Sequence, residues 1–380
     1  QGRPEQGRFR QPARAVTPPV ALPVALPDYA AAAAERLEAQ ARAYFDGGAA
    51  DELTLAANLR AWQQIGLQSR VLRPMAGAHT RVELLGRTLA HPVLLAPVAY
   101  QRLAHPEGEL ATAQAAAALQ TGMVLSTQSS VPVEAVAHIM RRDPDSGPLW
   151  FQVYIQPDRD FTLALVRRAE AAGCEALVLT VDAPVSGARD RERRTGFRLP
   201  PGVRAVHLEG LRPPPAPALL PGQSALFDGL LAAMPTWDDV AWLVGHTRLP
   251  VLLKGITHPE DARLAREAGA AGLVVSNHGG RTLDTLPATA ELLPRIVAAA
   301  DGLPVLVDGG IRRGTDVLKA LGLGASAVLV GRPQVHALAV AGAQGVAHML
   351  RLLRDELEIA MALTGCRRLA EAADALSPHR

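Results

Sequence analysis

Residues 276–281, with the sequence S-N-H-G-G-R, combine side chains that suit proton transfer on a small acid. A histidine such as His278 can exchange a proton near neutral pH. Arg281 stands three residues further on, and a guanidinium group can clamp a carboxylate with two parallel hydrogen bonds. A lone histidine is more often structural, but this context favours His278 as a catalytic base beside a carboxylate-binding arginine.

Two glycine-rich turns, Gly309-Gly310 and Gly331, are suited to binding an anion. Glycine lets backbone N–H groups approach a ligand closely, and each turn precedes a helical pattern whose N-terminus favours negative charge. Arg312 and Arg332 can add charge-assisted hydrogen bonds. Glycines in these places also serve as plain turn residues, but the paired arginines favour a phosphate group.

Two other charged residues follow apolar runs. Lys254 follows V-L-L, so it is expected to be buried and to need a negative partner. It can act as a Schiff-base nucleophile, as one half of an ion pair, or, as we prefer, as a stabiliser of a reduced, anionic cofactor ring. Asp182 can orient and stabilise an imidazolium. Its alternatives are a helix cap and an ion-pair partner for Arg189.

Eight short apolar runs set the architecture that must position these residues. Amphipathic stretches of helical period separate most of them, and continuous apolar runs suit parallel strands buried on both faces. Eight such units close a (β/α)8 TIM barrel. An open doubly wound sheet competes, but no run is followed by its G-x-G-x-x-G fingerprint. The runs begin near Val93, Met123, Leu149, Ala176, Pro250, Gly272, Pro304 and Ala327.

Polar residues stand at the ends of nearly all these predicted strands. In a TIM barrel the carboxyl ends of the strands form the active-site face, so the side chains should converge there. A lone polar residue would be an ordinary cap or turn residue, whereas a set from seven strands predicts a site. The set comprises Ser126, Thr127, Gln152, Tyr154, Thr180, Asp182, Lys254, Ser276, Asn277, His278, Asp308, Gly331 and Arg332.

Three segments lie outside the regular alternation of predicted barrel strands and helices. An alanine-rich helix capped by Asp28 is expected to carry Tyr44 near its end at Gly47-Gly48, and a second helix should follow through residues 53–62. Short β-like pieces are expected around residues 81–85. The proline-rich loop 199–223 after the fourth strand is either a tolerated surface insertion or a lid over the active site.

Composition sets the remaining expectations. Residues 1–27 lack apolar periodicity, which predicts a flexible N-terminal tail before a single domain over residues 28–380. The tail lacks the apolar core of a secretory signal, and no run is long enough to cross a bilayer, so we expect a cytoplasmic protein. A net charge of +2 indicates neither nucleic acid nor an anionic membrane as a partner. Cys174 and Cys366 should be buried thiols, with no disulfide or metal site.

Taken together, the motifs resemble those of the FMN-dependent 2-hydroxy-acid oxidase and dehydrogenase family. The likeness runs from about residue 28 to about residue 369. It rests on A-P-V-A at 96–99, H-P-E-G-E at 105–109, T-V-D at 180–182, L-K-G at 253–255, S-N-H-G-G-R-x-L-D at 276–284, D-G-G-I-R-R-G-x-D at 308–316 and G-R-P at 331–333.

The resemblance implies that FMN is the cofactor and that His278 takes a substrate proton as two electrons pass to the flavin. It leaves open whether that proton comes from the α-carbon or the hydroxyl group. The substrate carboxylate would be held by Arg281, Arg189 and Tyr44. Tyr154 would bond to the substrate oxygen, and Asp182 would partner the histidine.

The resemblance also divides the cofactor-binding positions into two groups. The isoalloxazine ring and ribityl chain would be lined by Pro97, Val98, Ala99, Ser126, Gln152, Thr180, Lys254 and Ser276. The ribityl and phosphate end would be bound by Asp308, Gly309, Gly310, Arg312, Gly331 and Arg332.

Single positions bear on the subtype that the resemblance implies. Ala99 stands where alanine goes with oxidases and glycine with several dehydrogenases, which favours O2 as the acceptor and H2O2 as a product. Gln128 replaces a pocket tryptophan of the members that oxidise glycolate, and Tyr100 replaces a methionine. These changes predict larger 2-hydroxy acids, mandelate-like or aliphatic, as substrates. Relatives in this family are often tetramers, so we expect a homotetramer.

Other functions stay open at this point. The nearest is a dehydrogenase that passes electrons to a quinone or another carrier. A type 2 isopentenyl diphosphate isomerase and an IMP-dehydrogenase-like enzyme are further away, since the latter needs a catalytic cysteine and neither Cys174 nor Cys366 follows a barrel strand. A non-catalytic flavin-binding protein would leave His278, Arg281 and Tyr154 without a purpose.

Overall fold

The eight predicted apolar runs form a closed barrel of parallel strands, in the order β10-β3-β4-β5-β6-β7-β8-β9. The structure, a computed structural model, describes residues 22–212 and 218–378. The TIM-barrel prediction is therefore confirmed. The barrel strands are β3 Val93–Leu95, β4 Gly122–Ser126, β5 Leu149–Val153, β6 Ala176–Thr180, β7 Val251–Ile256, β8 Gly272–Val275, β9 Val305–Val307 and β10 Ala327–Val330.

Nearly every residue of these strands is buried, because one face packs inside the barrel and the other packs against helices. The inner layer includes Leu94, Val124, Trp150, Leu252 and Leu329. A short antiparallel hairpin, β1 Val82–Leu84 and β2 Arg87–Leu89, adds two leucines to this inner cluster. The hairpin precedes β3, so it closes the amino-terminal end of the barrel and leaves the carboxyl end for a site.

Helices surround the barrel, and most connect consecutive strands. The helix α12 contains a kink at Ala341 and Gly342, where the backbone is not helical. The helices are α1 Leu26–Ala34, α2 Ala39–Asp46, α3 Leu53–Gln64, α4 Glu109–Ala118, α5 Val133–Met140, α6 Arg159–Ala172, α7 Asp190–Thr195, α8 Trp237–Gly245, α9 Pro259–Glu267, α10 Thr289–Ala300, α11 Gly314–Gly322 and α12 Arg332–Thr364.

The first helical segment differs from its prediction in two ways. Helix α1 begins at Leu26, which is 2 % exposed, and Pro27 occupies its first turn, where the missing N–H costs nothing. Asp28 therefore lies inside the first turn and does not cap the helix. The predicted single helix is also broken between α1 and α2, and the turn buries Leu37. The predicted flexible tail lies mostly at residues 1–21, outside the described residues.

Other expectations are met directly. Helix α3 covers the predicted second helix, and the hairpin covers the predicted β-like pieces. Cys174 and Cys366 are buried free thiols. Across residues 22–212 and 218–378, no helix has the length and apolar character needed to cross a membrane.

The long connection between β6 and α8 is attached to the barrel near its middle. The buried ring of His207 accepts the backbone N–H of Val133 through Nε2 at 2.9 Å, and its Nδ1 lies 3.2 Å from Ser129 Oγ. Burial lowers the pKa of His207 to about 4, so the ring is neutral and can act as this acceptor. Leu208, the next residue, lines the cavity described below. The connection therefore borders the active-site face, and its role as a lid or as a tolerated insertion stays a prediction.

Candidate active site

A single cavity of about 1050 Å³ opens at the carboxyl end of the barrel and gathers nearly all the predicted site residues. Asp182 and Ser276 are not on its wall, although each bonds to a residue that is, and Thr127 and Asn277 of the strand-end set are also not on its wall. The predicted residues along its wall are Tyr44, Pro97, Val98, Ala99, Ser126, Gln152, Tyr154, Thr180, Arg189, Lys254, His278, Arg281, Asp308, Gly309, Gly310, Arg312, Gly331 and Arg332.

His278 and Asp182 form a close pair at one side of this cavity. His278 Nδ1 lies 2.8 Å from Asp182 Oδ1. Because a carboxylate accepts, we assign the ring proton to Nδ1, which leaves Nε2 as the basic nitrogen. Gly255 makes room for the aspartate, since a Cβ at Gly255 would stand 2.5 Å from the Cβ of Asp182. The L-K-G motif therefore has two roles: its glycine leaves space for the aspartate that orients His278, and its lysine is Lys254.

The electrostatics of the pair keep the imidazole neutral and the carboxylate charged. Burial lowers the pKa of His278, and the nearby Lys254 and Arg281 lower it further against the opposing effect of Asp182. Burial alone would raise the pKa of Asp182, but His278 and Lys254 outweigh it and hold that pKa below its usual range. A neutral imidazole beside a carboxylate is the form that accepts a proton.

Lys254 lies deep in the barrel mouth beside Asp308. Its Nζ stands 3.4 Å from Asp308 Oδ2 and donates to Ser276 Oγ at 3.0 Å. Burial opposes its charge, but Asp308 and Asp182 prevail and raise the pKa of the ammonium group. Ser276 Oγ also accepts the backbone N–H of His278 at 3.1 Å. The hydroxyl of Ser276 thereby joins Lys254 to the loop after β8 that carries His278 (residues 276–284, the histidine loop), and its contact with a cofactor stays a prediction.

The two predicted carboxylate-binding arginines lie side by side. Arg189 Nε lies 3.4 Å from the carbonyl oxygen of Arg281. Arg281 donates from Nη1 to the carbonyl oxygens of Tyr44 and Gly47, and its guanidinium carbon lies 5.0 Å from the Tyr44 ring centroid. Burial and the neighbouring Arg189 lower the pKa of Arg281. Two close guanidinium groups of this kind favour an anionic ligand between them.

Glu192 is a member of this cluster that the sequence did not single out. Its Oε1 lies 3.3 Å from Arg189 Nη1 and 3.4 Å from Arg281 Nη2. It also lines the cavity. The signal was present in the sequence, because Glu192 follows Arg189 by three residues, the spacing of a helical ion pair. The glutamate shares the arginines with any carboxylate that binds there.

Two tyrosines complete the wall near the base. Burial raises the pKa of Tyr154, so its phenol stays protonated and can donate a hydrogen bond. Burial also raises the pKa of Tyr44 to about 12. The Tyr44 ring stacks on Phe197, with centroids 4.8 Å apart, and lies 5.9 Å from the Tyr100 ring. Phe197 follows α7, so the long connection helps to fix Tyr44.

The opposite end of the cavity has the character of an anion site. Gly310 has φ +86°, and a Cβ there would stand 2.2 Å from the carbonyl oxygen of Asn58, so only glycine fits between β9 and α3. Burial lowers the pKa of Arg312 to about 10. Burial, with Arg281 and Arg312 nearby, lowers the pKa of Arg332 to about 9. Within the described residues neither Arg312 nor Arg332 forms a salt bridge, so a phosphate would supply the missing negative charge.

Arg332 is anchored before any ligand binds. It donates to the carbonyl oxygens of Phe45 at 3.0 Å, Gly279 at 2.9 Å and Gly47 at 3.0 Å. A guanidinium group has five N–H donors, so two of them are left for an anion. Gly47 accepts from both Arg332 and Arg281, and the turn after α2 thereby joins the two ends of the site.

Two buried polar atoms deeper in the cavity also lack partners in the part of the chain that the structure describes. They are Gln152 Nε2, a donor, and Asp308 Oδ1, an acceptor. Buried polar groups are normally paired, so a ligand with both donors and acceptors is expected between them. A flat polar ring with a phosphate-bearing tail fits these atoms, the glycine turns and the two arginines.

Several positioning contacts escaped sequence reasoning. Asn58 on α3 and Asn277 exchange two side-chain hydrogen bonds, at 2.8 and 2.9 Å. Asp284 accepts backbone N–H groups at the start of α3, including that of Thr54 at 2.8 Å. Both pairs hold the histidine loop against the N-terminal helices. Their partners are more than 200 positions apart, which no local pattern can reveal.

Comparisons with known proteins agree with this geometry. The family model described as "FMN-dependent dehydrogenase" matches residues 33–378. The chain is 50% identical over 354 residues to an L-lactate oxidase of Roseobacter sp. (strain GAI101), covering 93% of this chain and 94% of the relative. It is 44% identical over 346 residues to a glycolate oxidase of Spinacia oleracea, covering 90% and 92%. A mandelate oxidase structure with (S)-2-phenylpropionate aligns with TM-score 0.83 and 45% identity, covering 93% of this chain and 98% of that chain.

Proposed function

This chain belongs to the FMN-dependent dehydrogenase family, and we propose that its cavity oxidises an (S)-2-hydroxy acid to the 2-oxo acid with O2 as the acceptor. The observation that carries the proposal is the His278–Asp182 pair beside two arginines at the mouth of one barrel. A base next to a carboxylate clamp is what removal of a proton from a 2-hydroxy acid requires.

Substrate binding is assigned to the arginine cluster. Arg281 and Arg189 would bind the carboxylate, and Tyr44 would add its phenol from the stacked position against Phe197. Tyr154, kept protonated by burial, would donate to the substrate oxygen. Together these contacts would hold the substrate carbon within reach of His278, so that binding energy is used to orient the reacting groups.

The base is His278, acting through Nε2. The neutral ring accepts a proton from the substrate, and Asp182 stabilises the imidazolium that forms. The choice between the α-carbon proton and the hydroxyl proton stays open, since Nε2 can serve either.

The cofactor would be held by residues on both ends of the cavity. When bound, FMN would supply the acceptor for the substrate's electron pair and the route for those electrons to O2. The chain would bind its phosphate with Arg312, Arg332 and the N–H groups of the glycine turns. Lys254 would place a positive charge at the ring. The remaining contacts are assigned to Pro97, Val98, Ala99, Ser126, Gln152, Thr180, Ser276, Asp308, Gly309, Gly310 and Gly331.

For the substrate side chain we propose a group larger than a hydrogen atom, aliphatic or mandelate-like. Gln128 and Tyr100 line the pocket, together with apolar residues of the long connection such as Leu208 and Met234. Relatives are named for lactate and mandelate as well as glycolate. A panel of 2-hydroxy acids, read as anaerobic flavin bleaching and then reoxidation in air, tests this. Good turnover of glycolate with none of mandelate would contradict it.

Release of H2O2 is proposed with O2 as the acceptor, on the basis of Ala99 and of relatives named as oxidases. A dehydrogenase that uses a quinone or another carrier is the second candidate. Comparing rates with O2 and with an artificial acceptor, alongside peroxide detection, separates the two. A faster reaction with the artificial acceptor and no peroxide favours the dehydrogenase.

We also propose a cytoplasmic homotetramer. The buried free thiols Cys174 and Cys366 are typical of a reducing compartment. The tetramer rests on the resemblance to a family whose members often form one. Light scattering of the purified enzyme gives the mass, and a monomer or dimer would contradict the proposal.

The His278→Ala variant tests the function at its centre. Because His278 is not assigned to the phosphate end, the variant should stay yellow while turnover of every 2-hydroxy acid is lost. Flavin absorbance per protein and initial rate are measured together. Unchanged activity in a fully flavin-loaded variant would overturn the mechanism.

A further inference from the structure

The H-P-E-G-E motif at residues 105–109 has no role in the mechanism above, although Glu109 is fully buried. Glu109 is the first residue of α4 and has 0 % exposure. Glu109 forms no salt bridge among the described residues, and a carboxyl group buried in this way normally serves a definite set of hydrogen-bond donors.

Those donors are two backbone N–H groups on two different active-site loops. Glu109 Oε1 accepts the N–H of Gln101 at 3.1 Å and the N–H of Ser130 at 2.8 Å. Gln101 lies on the loop after β3, and Ser130 on the loop after β4. One oxygen atom therefore bridges the first two loops of the barrel mouth.

The residues next to these N–H groups line the substrate side of the cavity. Tyr100 precedes Gln101, has a left-handed backbone with φ +53°, and donates its own N–H to the carbonyl oxygen of Gln128 at 3.1 Å. Both Tyr100 and Gln128 line the cavity. A non-glycine residue at positive φ is held there only by its surroundings, and Glu109 contributes through its bond to the next residue, Gln101.

The rest of the motif is arranged to bring Glu109 to this place. Gly108 has φ +51°, and a Cβ there would stand 2.9 Å from Cγ of Arg102. Gln101, 1 % exposed, is fixed again by Thr112 on α4, whose hydroxyl donates to Gln101 Oε1 at 2.6 Å. Helix α4 and the first loop thus form one unit around the carboxylate.

We propose that Glu109 is a positioning residue that sets the substrate-side wall formed by Tyr100 and Gln128. The inference rests on the proposed function, because the wall matters only if a 2-hydroxy acid binds against it. Loss of the acceptor should move the wall, and so change the KM for the substrate more than the kcat.

The experiment compares Glu109→Met, which keeps the bulk but removes the acceptor, with Glu109→Gln, which keeps an oxygen for both N–H groups. Two unsatisfied buried donors should raise the KM for the preferred 2-hydroxy acid about tenfold in Glu109→Met, while Glu109→Gln stays within about threefold of the wild type. The kcat of both flavin-loaded variants should change by less than about threefold. A Kd for the 2-oxo acid, read from the flavin spectrum, should follow the KM.

A matched control is Glu170→Met. Glu170 also accepts a backbone N–H, that of Arg248 at 3.0 Å, but on the loop before β7 at the other end of the barrel. It should lower thermal stability without moving the KM. Hydrogen exchange supplies a measurement independent of activity, since peptides containing Gln101 and Ser130 should exchange faster in Glu109→Met only.

Several results would overturn the inference. They are a KM within twofold of the wild type in Glu109→Met, an equal shift in Glu170→Met, and unchanged amide exchange at both loops. If Glu109→Met does not fold, Glu109→Asp takes its place, because the shorter side chain cannot reach both N–H groups, and its unaltered KM would count equally against the inference. A wild type that oxidises no 2-hydroxy acid would refute the proposed function instead, and the exchange measurement would still test whether Glu109 pins the loops.

Discussion

Replacing Asp182 with asparagine removes the negative charge beside His278 and keeps the size of the side chain. The asparagine oxygen can still accept the Nδ1 proton, so the ring keeps its orientation and only the charge is lost. The contact between the two groups is 2.8 Å. Both charges are delocalised over several atoms, so we treat them as unit charges about 4 Å apart. Their attraction is then roughly 4 kcal/mol at an effective dielectric constant of about 20.

That interaction stabilises the imidazolium, which forms only as the substrate loses its proton. Its loss should slow the reductive step by roughly a thousandfold, at about 1.4 kcal/mol for each factor of ten. Asp182 raises the pKa of His278, so its loss should lower that pKa. The acid side of the activity profile should therefore move to lower pH in the variant than in the wild type.

The assay mixes enzyme and substrate without oxygen and follows the loss of flavin absorbance over a range of pH. Asp284→Asn is the control, because Asp284 is a buried carboxylate of the motif that contains His278, but it bonds to α3 and not to His278. It should lose stability and slow the reaction far less than Asp182→Asn, because it weakens only the support of the histidine loop and leaves the charge beside His278 in place. A rate for Asp182→Asn within tenfold of the wild type, at full FMN content, would refute the electrostatic reasoning.

Three further predictions concern other parts of the site. In the wild type, kcat/KM should fall only below about pH 6.5, since the lowered pKa keeps His278 neutral above that range, and a pH profile checks this. Glu192→Gln should lower the substrate KM about threefold, because it frees Arg189 and Arg281 from a competing carboxylate. Asp190→Asn, at an acidic residue that pairs with other arginines, should leave the KM unchanged. Gly310→Ala should bind FMN less well and be less stable, because the new Cβ clashes with Asn58 and the positive φ adds backbone strain of roughly 1–3 kcal/mol. Gly86→Ala is the control, because Gly86 also has a positive φ but has open space around it. A thermal melt should show only the backbone strain in Gly86→Ala.

The sequence was sufficient for the barrel and for most of the cavity wall. Strand ends converge in any TIM barrel, so polar residues such as Thr180 and Lys254 could be placed without knowing a single contact. A strand-end position does not say whether a hydroxyl faces the ligand or a neighbouring side chain, so the contacts of Ser276 Oγ with Lys254 and His278 could not be predicted from it. The break between α1 and α2 was missed because alanine favours helix regardless of how the chain must turn to bury Leu37.

Residues whose partners are backbone groups were beyond local reasoning. Glu109 was visible only as part of a motif, because its partners at Gln101 and Ser130 are backbone groups that any residue could supply. The His207 anchor has the same character, since Val133 contributes only an N–H.

The turn after α2 has a thermodynamic consequence. Its carbonyl oxygens accept from Arg281 at the substrate end and from Arg332 at the phosphate end, and Gly47 serves both. A ligand bound at either end therefore restricts the backbone of this turn, which positions the arginine at the other end as well. Linkage requires the effect to be reciprocal: if bound FMN tightens the site for a carboxylate, a bound carboxylate must retain FMN by the same factor.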